Sequence, residues 1–382
     1  MKAFVFTDAA LASYARQVVW LDIDTEKAAN AAVLEKYPVS AWPSLFIIDP
    51  VHETVLLRWT GTASVEQLIQ FVDQGKRALA AGQTGLAAQL ATADRLNGAG
   101  NYATAAPAYA AVLAAAPKGW PDLPRTSDAY LFALQITEQS LECVQAAHGL
   151  LARLEGTPSY ANAAVTGLDC ALSLEKSVAS RGALIAHFET ACRQVLDAPG
   201  SKLAADDRSG IYQELIAARE DAGDEVGKKA LETAWIAGLE KAANEAPTPA
   251  ARAAFDSHRL GAYLEIDQPQ RAVDMLLVSE RDFPNDYNPP ARLAMAYRAL
   301  KDLNKALAAS DRALSKAYGP RRISILRTRA EIFKDKGEPA EVRKTLEQAL
   351  SEAKAMPAGQ RSESTIAGLE KRLAALSQPA SK

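Results

Sequence analysis

The chain has 382 residues, more than the roughly 250 to 300 at which a single hydrophobic core stops growing, so two unequal domains are expected. Its 43 Lys and Arg against 46 Asp and Glu leave a net charge of −3, which excludes the broad basic field that holds nucleic acid backbones. With 48% hydrophobic and 23% charged residues the composition is that of a globular protein, and no uncharged apolar run of about 18 residues occurs that would make a transmembrane segment.

From the N-terminus, residues 18–23 (Val-Val-Trp-Leu-Asp-Ile) form a short apolar run that predicts a strand buried on both faces of a parallel sheet. Thr25 or Asp24 then caps a helix from Glu26 to about Tyr37, which Pro38 ends. Residues 45–48 and 55–59 read as two strands of a hairpin across the loop 49–53. Gly61 closes the hairpin, and Ser64 caps a helix in which Val65, Leu68, Ile69 and Val72 recur at helical spacing. This order of strand, helix, strand, strand, helix is that of an α/β domain.

After about Gly75 the grammar changes to Ala, Leu, Glu, Gln and Arg, the strong helix formers, and a boundary falls between Lys76 and Gly85. The expected organisation is therefore an α/β domain over residues 1–80 followed by an all-α region over 81–382.

The N-terminal residues resemble the thioredoxin superfamily. Residues 4–8 (Phe-Val-Phe-Thr-Asp), 21–24 (Leu-Asp-Ile-Asp) and 37–44 (Tyr-Pro-Val-Ser-Ala-Trp-Pro-Ser) match its segments, and Asp49-Pro50, Trp59 and Gly61 continue the match. The resemblance implies a cis Trp42-Pro43 bond in a loop that contacts peptide. The family's Trp-Cys-x-x-Cys and first strand would lie upstream of Met1, and no cysteine precedes Cys143, so the chain as given lacks the dithiol that exchanges disulfides.

Two accounts of this start are open. Residues 2–6 are either the tail of the active-site helix of a longer product, which the Val-Phe-x-Asp match favours, or a substitute first strand followed by a short helix over 8–17.

The helical part carries an internal period. Gly100-Asn101-Tyr102 with Ala105, Tyr109 and Pro117 reads as the turn and second helix of a tetratricopeptide repeat, with small Ala93 and Ala105 at the helix contact. Tyr263, Asp267, Ala272 and Leu276 recur 34 residues on as Tyr297, Lys301, Ala306 and Ser310. A third copy follows after 36 residues as Phe333, Gly337, Val342, Leu346 and Ala349.

The chain thus resembles tetratricopeptide-repeat (TPR) proteins, most clearly over residues 86–118 and 253–356 and loosely between, where Gly156-Thr157-Pro158, Pro199-Gly200 and Gly223 mark breaks. About seven helix pairs with a polar capping helix over 364–376 are expected, so the overall class is a partial thioredoxin-like fold plus a TPR-like α-solenoid.

Such repeats present a groove lined by the first helix of each pair. By that resemblance Arg298, Arg327 and Lys334 face it, near Arg292 and Arg321-Arg322, where guanidinium groups can hold a peptide carboxylate. Glu331 and Asp335 sit among these cations and reduce their field.

No phosphate-loop, dinucleotide, His-Glu-x-x-His or Gly-x-Ser-x-Gly motif occurs, so no catalytic residue, metal site or cofactor is assigned. Cys143, Cys170 and Cys192 are too scattered for a zinc or dithiol motif and read as buried small apolar residues. His52, His148, His187 and His258 show no ligand spacing.

The expected function is a protein-interaction scaffold binding proteins or peptides, without redox chemistry of its own and without nucleic acid. The alternative is a truncated thiol-disulfide oxidoreductase whose repeats recruit clients. The chain as given reads as cytoplasmic, or exported if a leader lies upstream.

Overall fold

A computed structural model of the chain describes residue 1 and residues 4–79, 84–198 and 203–376. The chain divides into two compact units, Met1–Val19 with Val39–Trp235, and Trp20–Pro38 with Ile236–Lys382. The compositional boundary at residues 76–85 falls inside the first unit, and residues 80–83 within it lie outside the described residues.

The N-terminal stretch departs from expectation. Residues 18–23 are coil, with Val19 87% and Leu21 75% exposed, rather than a buried strand. An apolar run becomes a buried strand only where neighbouring strands complete its hydrogen-bond ladder, and among the described residues none does. Residues 4–17 form turns and a 3-10 helix, Ala9–Ser13, rather than a strand or an α-helix; Lys2 and Ala3 lie outside the described residues. The helix expected from Glu26 shrinks to a 3-10 turn, Ala28–Asn30, and α1 (Ala31–Lys36).

In the first unit, β1 (Ser44–Ile48) and β2 (Val55–Thr60) pair antiparallel, with Leu45 opposite Trp59 and Ile47 opposite Leu57. Asp49 organises the connecting turn, accepting from the Val51 amide at 2.8 Å and pairing with His52 at 2.6 Å. Among the described residues this hairpin is the whole sheet, so the parallel sheet expected of an α/β domain is absent from them.

α2 (Val65–Leu79) starts at a reciprocal cap in which Ser64 and Gln67 exchange hydrogen bonds of 2.8 and 3.1 Å. Its Leu68 and Phe71 pack on Leu57 and Leu11, with Val65 and Ile69 at the edge of the cluster.

The rest of the unit is helical: α3 (Gly85–Gly98), α4 (Tyr102–Ala115), α5 (Leu123–Ile136), α6 (Ser140–Leu154), α7 (Ser159–Leu172), α8 (Arg181–Asp197), α9 (Ala205–Asp221) and the start of α10 (Glu225–Asn244). Their short connections make sequence neighbours pack as hairpins. Ala93, Ala105 and Tyr109 are completely buried where α3 and α4 meet. The break expected at Pro199-Gly200 lies outside the described residues.

Cys143 on α6 and Cys170 on α7 are buried as expected but form a disulfide, with Cα atoms 6.0 Å apart, and Cys192 is the buried free thiol.

The second unit contains the end of α10, α11 (Pro249–Ala253), α12 (Asp256–Glu265), α13 (Pro269–Asp282), α14 (Asn288–Ala299), α15 (Leu303–Leu314), α16 (Pro320–Asp335), α17 (Pro339–Ala355) and α18 (Glu363–Ala375). The pairs α12/α13, α14/α15 and α16/α17 repeat one geometry. Asp267, Lys301 and Gly337, aligned by the sequence period, all turn the chain with left-handed backbone, at φ 53, 62 and 75°.

The aligned apolar positions Tyr263, Ala272, Leu276, Ala306, Phe333, Val342, Leu346 and Ala349 are all buried. α18 covers the last pair through Ile366 and Leu369, which join the cluster of Leu326, Phe333 and Leu346. This region is an array of repeated helix pairs that share one turn geometry and one set of buried positions.

Candidate functional site: a charged groove on the first helices of the C-terminal repeats

Within the second unit the first helices α12, α14 and α16 stack beside one another. Residues three and four apart share a helix face, so Arg327, Glu331 and Asp335 of α16 project together beside Met295 and Arg298 from the last turns of α14. With Leu264, Lys301, Ser324 and Arg372 they line a cavity of about 550 Å³. Four cations there outweigh two carboxylates, and Leu264, Met295 and Ala299 add an apolar wall.

Two of the three expected residues, Arg298 and Arg327, line this cavity; Lys334, exposed, does not. Their states differ. Arg298 donates to Asp335 at 2.7 Å and lies 3.7 Å from Glu331, which also pairs with Arg372. The Arg298 hydrogen bond holds the Asp335 carboxyl below its usual range. Arg327 is exposed and makes no hydrogen bond or ion pair with any described residue, which leaves its guanidinium open to an anionic ligand.

The neighbouring cations are engaged elsewhere. Arg322 binds Glu352 at 3.0 Å and the Leu314 carbonyl at 2.8 Å, and Arg321 binds Glu26 at 3.0 Å. Burial pulls the pKa of Arg292 down, with Asp256 and Asp286 partly restoring it.

In the first unit the Trp42-Pro43 peptide bond is cis. Its loop is fixed by the Gly61 amide donating to the Pro43 carbonyl at 2.9 Å and by Ser44 donating to the Ala41 carbonyl at 2.8 Å. Trp42 is 66% exposed. Behind the loop Arg58, itself buried, donates to Ser40 at 3.0 Å and lies over the rings of Phe46 and Tyr102.

The sequence pattern did not announce two associations. The Cys143–Cys170 disulfide joins residues 27 apart that share no motif. His148 and His187 meet with ring centroids 4.6 Å apart from α6 and α8, and among the described residues no group of three metal-ligating side chains forms. Helix stacking creates both, and a spacing rule confined to one helix does not see them. Burial and nearby Glu214 push the Cys192 thiol up to about 12.

No family model and no curated protein matches the chain. Among solved structures it is similar to the TPR2AB-domain:pHSP90 complex of yeast Sti1, at 14% identity over 77% of this chain and 98% of that chain, with a TM-score of 0.28. The repeat architecture rests on the shared turns and buried positions of the array itself.

Proposed function

We propose that the chain is a protein-interaction scaffold whose C-terminal repeats hold a peptide segment in the groove between α14 and α16. The observation that carries this reading is the unengaged, exposed Arg327 in a cavity with an apolar wall. A peptide carboxylate meets Arg327 and Lys301, and an adjoining apolar side chain meets Met295 and Leu264. Arg298 shapes the site while remaining tied to Asp335.

In this reading residues 1–80 are a thioredoxin-like domain and residues 81–382 the repeat array. The hairpin followed by α2 supports the first assignment, and the exposed Trp42-Pro43 loop is a second peptide contact. The oxidoreductase alternative draws no support: the one pair of bonded cysteines lies inside helices of the array and the remaining thiol is buried.

The test is selection of peptides from a displayed library with free C-termini, followed by affinity measurement on the full chain. Arg327→Ala is expected to weaken the selected peptides at least about tenfold, the worth of one charge-assisted pair. Equal affinity for both proteins would discard the groove.

A further inference from the structure

Residues 20–38 belong to the second unit, where they lie against its helices much as a bound peptide does. The Asp24 carboxylate accepts from the Tyr318 hydroxyl at 2.6 Å. Glu26 accepts from Tyr287 at 2.6 Å and from Arg321 at 3.0 Å. Gln360 donates to the Thr25 carbonyl at 2.8 Å. The Arg321 guanidinium also lies 5.7 Å from the Tyr287 ring centre, and the two tyrosine rings meet edge to face at 6.4 Å.

Two glycines complete the cradle. A Cβ on Gly319 would collide with the Glu26 carbonyl, and one on Gly359 with the Ala31 carbonyl, so the backbone of the segment approaches where a side chain is missing. Residues 20–27 form no helix or strand, only a turn at Thr25-Glu26 braced by Asn30 donating to the Asp24 carbonyl at 2.8 Å, and Trp20 and Leu21 remain exposed, so the cradle contacts add to this local turn in holding the stretch. The two carboxylates, with one residue between, sit on a tight turn in which the Lys27 amide donates to the Asp24 carbonyl at 3.3 Å and the Glu26 amide to the Asp24 carboxylate at 2.9 Å.

This cradle is separate from the groove of the preceding section. Tyr287 precedes α14 and Arg321 lies in the first turn of α16, whereas the groove uses the later turns of both helices. From Arg321 to Arg327 the helix rises about 9 Å. Both carboxylates also sit near the positive ends of these helices, which favours anions there.

We propose that the Tyr287–Tyr318–Arg321 cradle is a recognition site for an acidic peptide turn with two carboxylates one residue apart, filled here in cis by residues 22–31. A partner segment of that pattern binds in place of this self-ligand. The segment is part of the same chain and competes intramolecularly, so an intact chain masks the site from partners in dilute solution.

The test uses the full chain and a fluorescein-labelled synthetic peptide with the sequence of residues 20–38, read by anisotropy. The Asp24→Asn, Glu26→Gln double variant is expected to bind it at least about tenfold tighter than the unaltered chain, because the masking segment is weakened. Adding Arg321→Ala should remove that gain. A peptide carrying Asp24→Lys and Glu26→Lys should not bind.

Equal affinity for the unaltered and double-variant chains, or affinity indifferent to Arg321→Ala, overturns the proposal. Hydrogen exchange guards against a variant that merely unfolds. In Arg321→Ala the amides of residues 27–37 should exchange at least about tenfold faster while those of α14 and α16 hold their rates; unchanged exchange at 27–37 also overturns it.

Discussion

Arg125 donates to both carboxylate oxygens of Asp94, at 2.8 and 3.0 Å, with the two side chains 5% and 2% exposed. Tyr109 donates to the same carboxylate at 2.8 Å, so α3, α4 and α5 converge on one buried charge pair. Burial alone would lower the pKa of Arg125, and the Asp94 carboxylate overrides it and keeps the guanidinium charged. Replacing Asp94 with Ala leaves that cation buried and uncompensated, at a cost of about 3 to 5 kcal/mol. Urea unfolding of the variant measures this directly. A loss below about 1 kcal/mol would mean that water already reaches the pair.

Glu214 predicts a pH dependence. Burial, reinforced by Asp169, raises its pKa to about 7 from 4.5. A carboxyl whose folded pKa is raised stabilises the fold below its unfolded value, and that contribution is lost as pH rises through about 7. Glu214→Gln should therefore be the more stable protein at pH 8, by about 1 to 2 kcal/mol once solvent screening is allowed for, and should lose this advantage at pH 4. Thermal melts at the two pH values check the sign. Asp128, raised by burial to about 6 despite donors from Ser159 and Asn162, works in the same direction.

The two groove arginines should separate by mechanism. Arg327→Ala removes an unengaged cation and should weaken an anionic peptide without changing the melting temperature, since an exposed side chain without partners contributes little to folding. Arg298→Ala leaves Asp335 in the cavity without its hydrogen-bonded arginine, while Glu331 keeps Arg372, so it should weaken the same peptide further, and steeply at low ionic strength. Titrations at two salt concentrations distinguish the cases, and identical effects would argue against the division.

Gly167 on α7 faces the buried ring of Phe188 on α8 with no room for a Cβ. Gly167→Ala should cost about 1 to 3 kcal/mol through overpacking, although Ala is the better helix former. A variant as stable as the parent would show that α8 can shift away.

The repeat was legible because its signal is local. The turn positions Asp267, Lys301 and Gly337 and the buried small residues such as Ala272 and Ala306 recur with the period, and each does the same mechanical job in every copy. Arg298 and Arg327 followed from that register, whereas Lys334, one residue before Asp335 on α16, lies outside the cavity because a step of one residue turns the helix by about 100°.

Residues 18–26 misled for the opposite reason. An apolar run declares what it would bury, not whether a partner strand exists to receive it, and the carboxylates at Asp24 and Glu26 found tyrosine and arginine partners instead. The Cys143–Cys170 bond likewise depends on where two helices cross, which single-residue patterns do not encode.

That bond has a mechanical consequence. If the molecule is stretched by its ends, helix pairs unravel and lengthen the tether, but the 27-residue span from Cys143 to Cys170 is short-circuited by a covalent link. About 90 Å of extensible contour is withheld at roughly 3.4 Å per residue. A reductant restores it, so the same molecule has two maximum lengths, and which one it reaches under load reports the thiol chemistry of its surroundings.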